Sequence, residues 1–264
     1  MNGHDPGDGP LPWVRKKVGT FEPFRERASL SIPSLTPEWE AFLFEVRAVL
    51  ACGDRCDSKR LCSSCMNALE WYRRLALANI PRKYWPHDIE DCIVDDGEAV
   101  AFFRHAIAHV DDVVARGLGM SVFGTNGNGK TSLCTYFMRA ALRRGFSAYY
   151  AHVEALFSLI KASFDDVTLR DRVRAIRSVD VLLLDDLGRE NVGRTDFVPA
   201  TFDDLFRYRD GMGLSTLMTT NLPPATARER YGNALASLWS GSSKIIILRG
   251  SDLRPRLNEW DAIE

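Results

Sequence analysis

Short apolar runs alternate with segments of helical periodicity through the second half of the chain. MSVFG, SAYYAHV, VDVLLLDD, LSTLMTTN and SKIIILRG are the runs. Between them fall TSLCTYFMRAALRR, two further helical segments, a helix near residues 199 to 210, and one more after LSTLMTTN. Apolar runs of this length, bounded by polar and glycine residues, read as strands, while apolar residues three and four apart read as helices with one buried stripe. Their alternation predicts an α/β fold with a five-stranded parallel sheet covered by helices on both faces. Upstream, GEAVAFFRHAIAHVDDVVARG predicts one amphipathic helix. IPRKYWPHDIEDC, interrupted by Pro81 and Pro86, predicts an irregular connector whose Tyr84 and Trp85 pack onto a neighbouring domain or meet a nucleotide base. Further back, TPEWEAFLFEVRAVL opens with Thr36 as a cap, Pro37 in the first helical position and Glu38 and Glu40 beside the positive helix end. A second helix, NALEWYRRLALAN, follows a cysteine-rich window, and residues 1 to 35 carry prolines and glycines without a period, as a flexible arm does.

The first strand runs into FGTNGNGKTSLC, residues 123 to 134. Gly124, Gly129, Lys130 and Thr131 satisfy G-x-x-x-x-G-K-[ST] between a strand and a helix. In such a loop the backbone N–H groups of the segment spanning Asn126, Gly127, Asn128 and Ser132 wrap a phosphate chain, the lysine reaches the outer phosphates, and the threonine hydroxyl ligates magnesium. Glycine-rich turns are common and a partial pattern would prove little, but this one is complete and predicts ATP or GTP as ligand. A triphosphate site also needs a carboxylate strand. VDVLLLDD places Asp185 at its carboxyl end as the magnesium-side acid and Asp186 as the base, unless the pair merely caps the next helix. LSTLMTTN ends in Asn221, a candidate sensor of the terminal phosphate, although Thr and Asn also commonly end strands.

At 264 residues the chain is long enough for one full domain and a smaller companion. A net charge of −1 argues against a uniformly basic coat but conceals the cluster Arg170, Arg172, Arg174 and Arg177, which leaves DNA binding through one face open. The absence of a membrane-length apolar run, and an N-terminus without the basic-then-apolar order of a secretory signal, predict a cytoplasmic protein. In that compartment Cys52, Cys56, Cys62 and Cys65, in CGDRCDSKRLCSSC, read as four thiolates around one zinc ion, the alternative being reduced thiols in a polar loop. The expected layout is a flexible arm at 1–35, a helical zinc-binding module for partner docking at 36–79, a connector at 80–96 and an ATPase domain at 97–264.

The order of these parts resembles the AAA+ ATPases, and within them the DnaC-like helicase loaders and IstB-like transposition ATPases, over about residues 50 to 257. The cysteine cluster with LANIPRKYWPHDIED, then GTNGNGKT, LLLDDLGRE and STLMTTNLPP carry the resemblance. It assigns Lys130 and Thr131 to phosphate and magnesium, Asp185 to magnesium, Asp186 to the attacking water and Asn221 to sensing. It also matches Arg209, just before the sensor strand, and Arg254, after the last strand, to arginines that serve the nucleotide in the family. Leu238, in NALASLWSG, stands where relatives commonly carry an arginine that reaches into the next subunit, leaving Arg209, Arg228 and Arg230 as candidates for that role. The resemblance implies slow ATP hydrolysis acting as an assembly switch, ATP-dependent self-association, binding to single-stranded DNA, a hexameric replicative helicase as partner, and no membrane. Its alternatives are an ATPase regulating a transposase on double-stranded DNA and, further off, a small-molecule P-loop kinase.

Overall fold

A computed structural model describes residues 60–188 and 197–254, with backbone alone for 233–240. The arm, the helix expected from Thr36, and Cys52 and Cys56 lie outside the described residues, as does the side chain of Leu238. The order of elements is α1 (Ser63–Leu77), two 3-10 turns (Arg82–Tyr84 and Ile89–Asp91), α2 (Gly97–Ala108), α3 (Val110–Ala115), β1 (Gly119–Phe123), α4 (Lys130–Arg143), β2 (Ala148–His152), α5 (Val153–Ala162), α6 (Val167–Arg177), β3 (Val181–Leu187), α7 (Phe197–Gly211), β4 (Ser215–Thr220), α8 (Pro224–Gly241) and β5 (Ser243–Ile247).

The five strands form one parallel sheet in the order β2-β3-β4-β1-β5. Every residue of β1 and β4 is buried, which is why both read as unbroken apolar or small-residue runs. One core cluster packs α1, α2, α3 and α4 against the sheet. A second gathers α5, α6, α7 and the start of α8 on the other face, with Phe157, Phe202 and Tyr231 in mutual ring contact. Because β1 lies between β4 and β5, its carboxyl end opens where strand addition changes direction, the place where open α/β sheets bind ligands. Among the described residues no helix is long and apolar enough to cross a membrane.

Three local readings change. The single helix expected over residues 97–117 is two, α2 and α3, broken at His109 (φ −110°, ψ 30°), and Asp111 and Asp112 restart it where a positive helix end favours carboxylates. The helix after the cysteine window packs into the same core as the sheet. Leu75, Ala76, Ala78 and Ile80 are buried in the cluster that contains β1 and α4. Ala78 O accepts from Tyr150 N at 2.8 Å, and Asn79 Nδ2 donates to Tyr150 O at 3.0 Å, so the chain lies against edge strand β2. The boundary expected at residue 79 therefore does not separate two cores. Trp85 is buried, with its indole N–H on Ile80 O at 2.8 Å and its ring stacked on Tyr72 at 5.4 Å; it packs.

Arg209 is the third correction. Expected at the nucleotide, or reaching into a neighbouring subunit, it is fully buried at the amino ends of β3 and β4. Its guanidinium donates to Thr216 Oγ1 at 3.0 Å, Arg177 O at 2.8 Å, Val179 O at 2.9 Å and Ser215 O at 2.6 Å. Asp180, at that end of β3, is separated from Asp185 by about 16 Å of strand, at roughly 3.3 Å per residue. The planar five-donor fork fits a site where strand and helix ends leave carbonyls without ladder partners. Arg209→Met should therefore cost about 3 kcal/mol of unfolding free energy, since several buried acceptors lose their donor at once. Chemical denaturation checks this, with the ATP affinity of the folded fraction expected to match the parent.

Candidate functional site

The loop between β1 and α4 is shaped by what lies against it. Gly129 caps α4 in the left-handed region (φ 95°), and Gly127 (φ 74°) lies so close to the last described segment that a Cβ there would collide with the Asp252 carboxylate. Leu253 N donates to Gly127 O at 3.0 Å, and Arg254 Nε is held by Asp252 Oδ1 at 3.0 Å, which sets Arg254 beside the loop. Lys130, 5% exposed, donates to Gly124 O at 2.9 Å, Thr125 O at 2.5 Å and Asn128 Oδ1 at 3.1 Å. Asn128 is itself buried and ties the loop to the end of β5 through Leu248 O at 3.0 Å. Burial lowers the Lys130 pKa, and the nearby Asp186 and Asp185 carboxylates oppose that shift. Asn126 is exposed at the tip and Ser132 half-buried in the first turn of α4. The N-terminus of α4, with its free N–H groups and positive dipole end, thus faces the same space as the ammonium.

Asp185, 5% exposed, closes the far side. Its Oδ1 accepts from Thr131 Oγ1 at 2.7 Å and Thr219 Oγ1 at 2.6 Å, and its Oδ2 from Tyr150 OH at 2.6 Å. The β3–β4 register slips between Leu184 and Leu187, and Asp186, inside that bulge, has φ 60°. A left-handed aspartate is uncommon and strained, and bulges of this kind re-aim a side chain. The Asp186 N–H donates to Thr219 Oγ1 at 3.0 Å, and its carboxylate lies 3.6 Å from His152 Nε2. Asn221 follows β4 directly at the same edge. Burial, then the Asp185 charge, push up the pKa of Tyr84, from the first 3-10 turn, and the same two causes in the same order raise that of Tyr150.

The structure thus brings Gly124, Asn126, Gly127, Asn128, Gly129, Lys130, Thr131, Ser132, Asp185, Asp186, Asn221 and Arg254 to one edge of the sheet, and leaves Arg209 at the other. Arg228 is exposed on α8, while the Arg230 guanidinium lies 5.7 Å from the ring of its neighbour Tyr231. Cys62 and Cys65 sit at the N-cap and in the first turn of α1. Their Sγ atoms are 3.4 Å apart, close to the roughly 3.8 Å expected of two thiolates about 2.3 Å from one tetrahedral zinc. Among the described residues no group of three or more potential ligands forms a metal site. Sequence reasoning missed Thr219, Tyr150 and Asp252. Only Thr219 carried a signal, as a hydroxyl near the carboxyl end of a strand that neighbours the carboxylate strand.

Residues 108–237 match the family described as IstB-like ATP binding protein. The replicative helicase loader DnaI of Bacillus subtilis is 23% identical over 141 residues, which cover 52% of this chain and 45% of that protein. The chain thus spans under half the length of that relative. The crystal structure of the DnaC helicase loader superposes with a TM-score of 0.58 at 21% identity, over 64% of this chain and 100% of the other. A replication initiator DnaA bound to AMPPCP and single-stranded DNA superposes with a TM-score of 0.54 at 18% identity, over 69% of this chain and 56% of the other. At these identities the superpositions show a shared P-loop AAA+ fold.

Gly127→Ala should weaken ATP binding about ten-fold or more, because the added methyl both strains a left-handed residue and pushes the Asp252–Arg254 segment off the loop. Isothermal titration of ATP into the full chain measures it.

Proposed function

We propose, from the premise that over residues 108–237 the chain belongs to the IstB-like ATP-binding family, that the protein is a cytoplasmic ATP-hydrolysing loader of a hexameric replicative helicase. The observation that carries the ATPase reading is the 2.7 Å contact of Thr131 Oγ1 with Asp185 Oδ1 beside the buried Lys130 ammonium. A hydroxyl and a carboxylate so paired fit a magnesium ion on a triphosphate, and Lys130 with the loop N–H groups fits the phosphates. Magnesium bound there would neutralise charge on the outer phosphates. Asp186, held out of the strand by its bulge, would take up the proton of the attacking water or fix its direction, and Asn221 would lie near the terminal phosphate. Arg254, beside the loop, would meet the nucleotide from the carboxyl-terminal side.

With Arg209 buried, the exposed Arg228 becomes the first candidate to reach a neighbouring subunit's phosphate in an ATP-dependent oligomer, with Arg230 second. The loader reading draws on the likeness to DnaI and DnaC and on the cysteine pair that heads α1. In it, Cys52, Cys56, Cys62 and Cys65 bind one zinc and order a docking module, while the ATPase domains grip single-stranded DNA. The match to the family described as IstB-like ATP binding protein also fits a second reading, a regulator of a transposase on double-stranded DNA.

With ATP and magnesium, preference for a single-stranded over a double-stranded oligonucleotide of the same sequence supports the loader, and the reverse supports the regulator. Recovery of a hexameric helicase with the tagged full chain supports the loader directly. Lys130→Ala should abolish measurable ATP binding, whereas Asp186→Asn should keep binding and lose hydrolysis; unchanged affinity in the first variant would overturn the site. Metal analysis of protein purified without chelator should find about one zinc per chain, lost without loss of ATP binding when Cys62 and Cys65 are both replaced by Ser.

A further inference from the structure

A tyrosine from a neighbouring strand meets the carboxylate of the magnesium-side pair. Tyr150 stands on edge strand β2, where the register pairs His152 with Asp185. Two residues before His152, its side chain lies on the same face of the sheet as the carboxylate. Its O–H reaches Asp185 Oδ2 at 2.6 Å, the short distance of a hydrogen bond to a charged acceptor.

The geometry points to Tyr150 as a positioning residue for metal-bound nucleotide: it fixes the plane of the Asp185 carboxylate, so that the oxygen direction left open is presented together with Thr131 Oγ1. A carboxylate offers about four acceptor directions. Thr131 and Thr219 take two on Oδ1 and Tyr150 one on Oδ2, which leaves one Oδ2 direction toward the nucleotide space. All three donors are neutral hydroxyls, so they orient the carboxylate while leaving its charge for a divalent cation. A lysine or arginine in place of Tyr150 would satisfy the same oxygen and cancel that charge.

This inference rests on the ATPase reading, and the test separates the two. ATP is titrated calorimetrically into the full-length parent and Tyr150→Phe, once with magnesium and once with EDTA. Phenylalanine keeps the ring and its packing, so the variant removes only the hydroxyl. The expected result is parent-like affinity in EDTA and about ten-fold weaker affinity with magnesium. In turnover, the magnesium concentration at half-maximal rate should rise by about the same factor, with kcat approached at saturating metal. Parent-like affinity with magnesium overturns the inference, as does an equal loss in EDTA and magnesium, which would make the tyrosine a mere wall of the phosphate pocket. A parent chain that binds ATP under neither condition overturns the ATPase reading itself.

Discussion

A carboxylate buried to 5% exposure at the end of a strand has to be supplied with donors, because an unpartnered carboxylate in that place would cost several kcal/mol. Asp185 receives them from three elements that are remote in sequence: Thr131 on α4, Tyr150 on β2 and Thr219 on β4. Each donor reaches only if its element is correctly placed. The strand order must put β2 and β4 on either side of β3, the β3–β4 bulge must turn Asp186 away while leaving Asp185 in line, and α4 must leave its loop at the angle that Gly127 and Gly129 permit. The polar centre of the molecule and its sheet topology therefore stand or fall together.

Chemistry that is compact in sequence was legible in it. The phosphate loop needs a strand, a handful of loop residues and a helix in succession, so its glycines, Lys130 and Thr131 announce themselves. The five strands were visible because a sheet covered on both faces leaves no polar alternation to confuse the pattern. Tyr150 was not legible: a tyrosine in a strand reads as packing, and only the β2–β3 register brings its hydroxyl to a carboxylate. The same holds for Asp186, whose left-handed conformation follows from a slip between two strands that no single segment encodes. The break at His109 escaped because apolar spacing continues through it, while the backbone responds to the acidic pair behind it.

Arg209 and α1 show the opposite error, in which a real signal was given the wrong address. An arginine shortly before β4 stands out in the sequence, but a motif says nothing of which end of the sheet a helix terminus reaches. At the amino edge the same five N–H groups that could grip a phosphate instead gather main-chain carbonyls from the end of α6, the turn before β3 and the start of β4. For α1 the cysteine window suggested an independent staple. Yet Leu75 and Ile80, each 0% exposed, sit in the core shared with β1 and α4, so the cysteines head a helix that the sheet's own core already holds. Any event at the cysteine end of α1 thus acts on one packed unit that includes the Tyr72–Trp85 stack and the turn carrying Tyr84.

The position of β1 has a consequence for biosynthesis. Its neighbours are β4 and β5, which begin at Ser215 and Ser243, although β1 itself ends at Phe123. On a ribosome adding about 5 to 20 residues per second, the phosphate loop emerges early and then waits several seconds for both flanking strands. Throughout that interval both edges of a wholly apolar strand are open, the exposure that favours capture by another chain or a chaperone. ATP cannot rescue the nascent domain during this wait, because the loop is completed only when Leu248 and Asp252 arrive to brace Asn128 and Gly127. The part of the molecule that reads most plainly from its sequence is thus among the last to become functional as it is made.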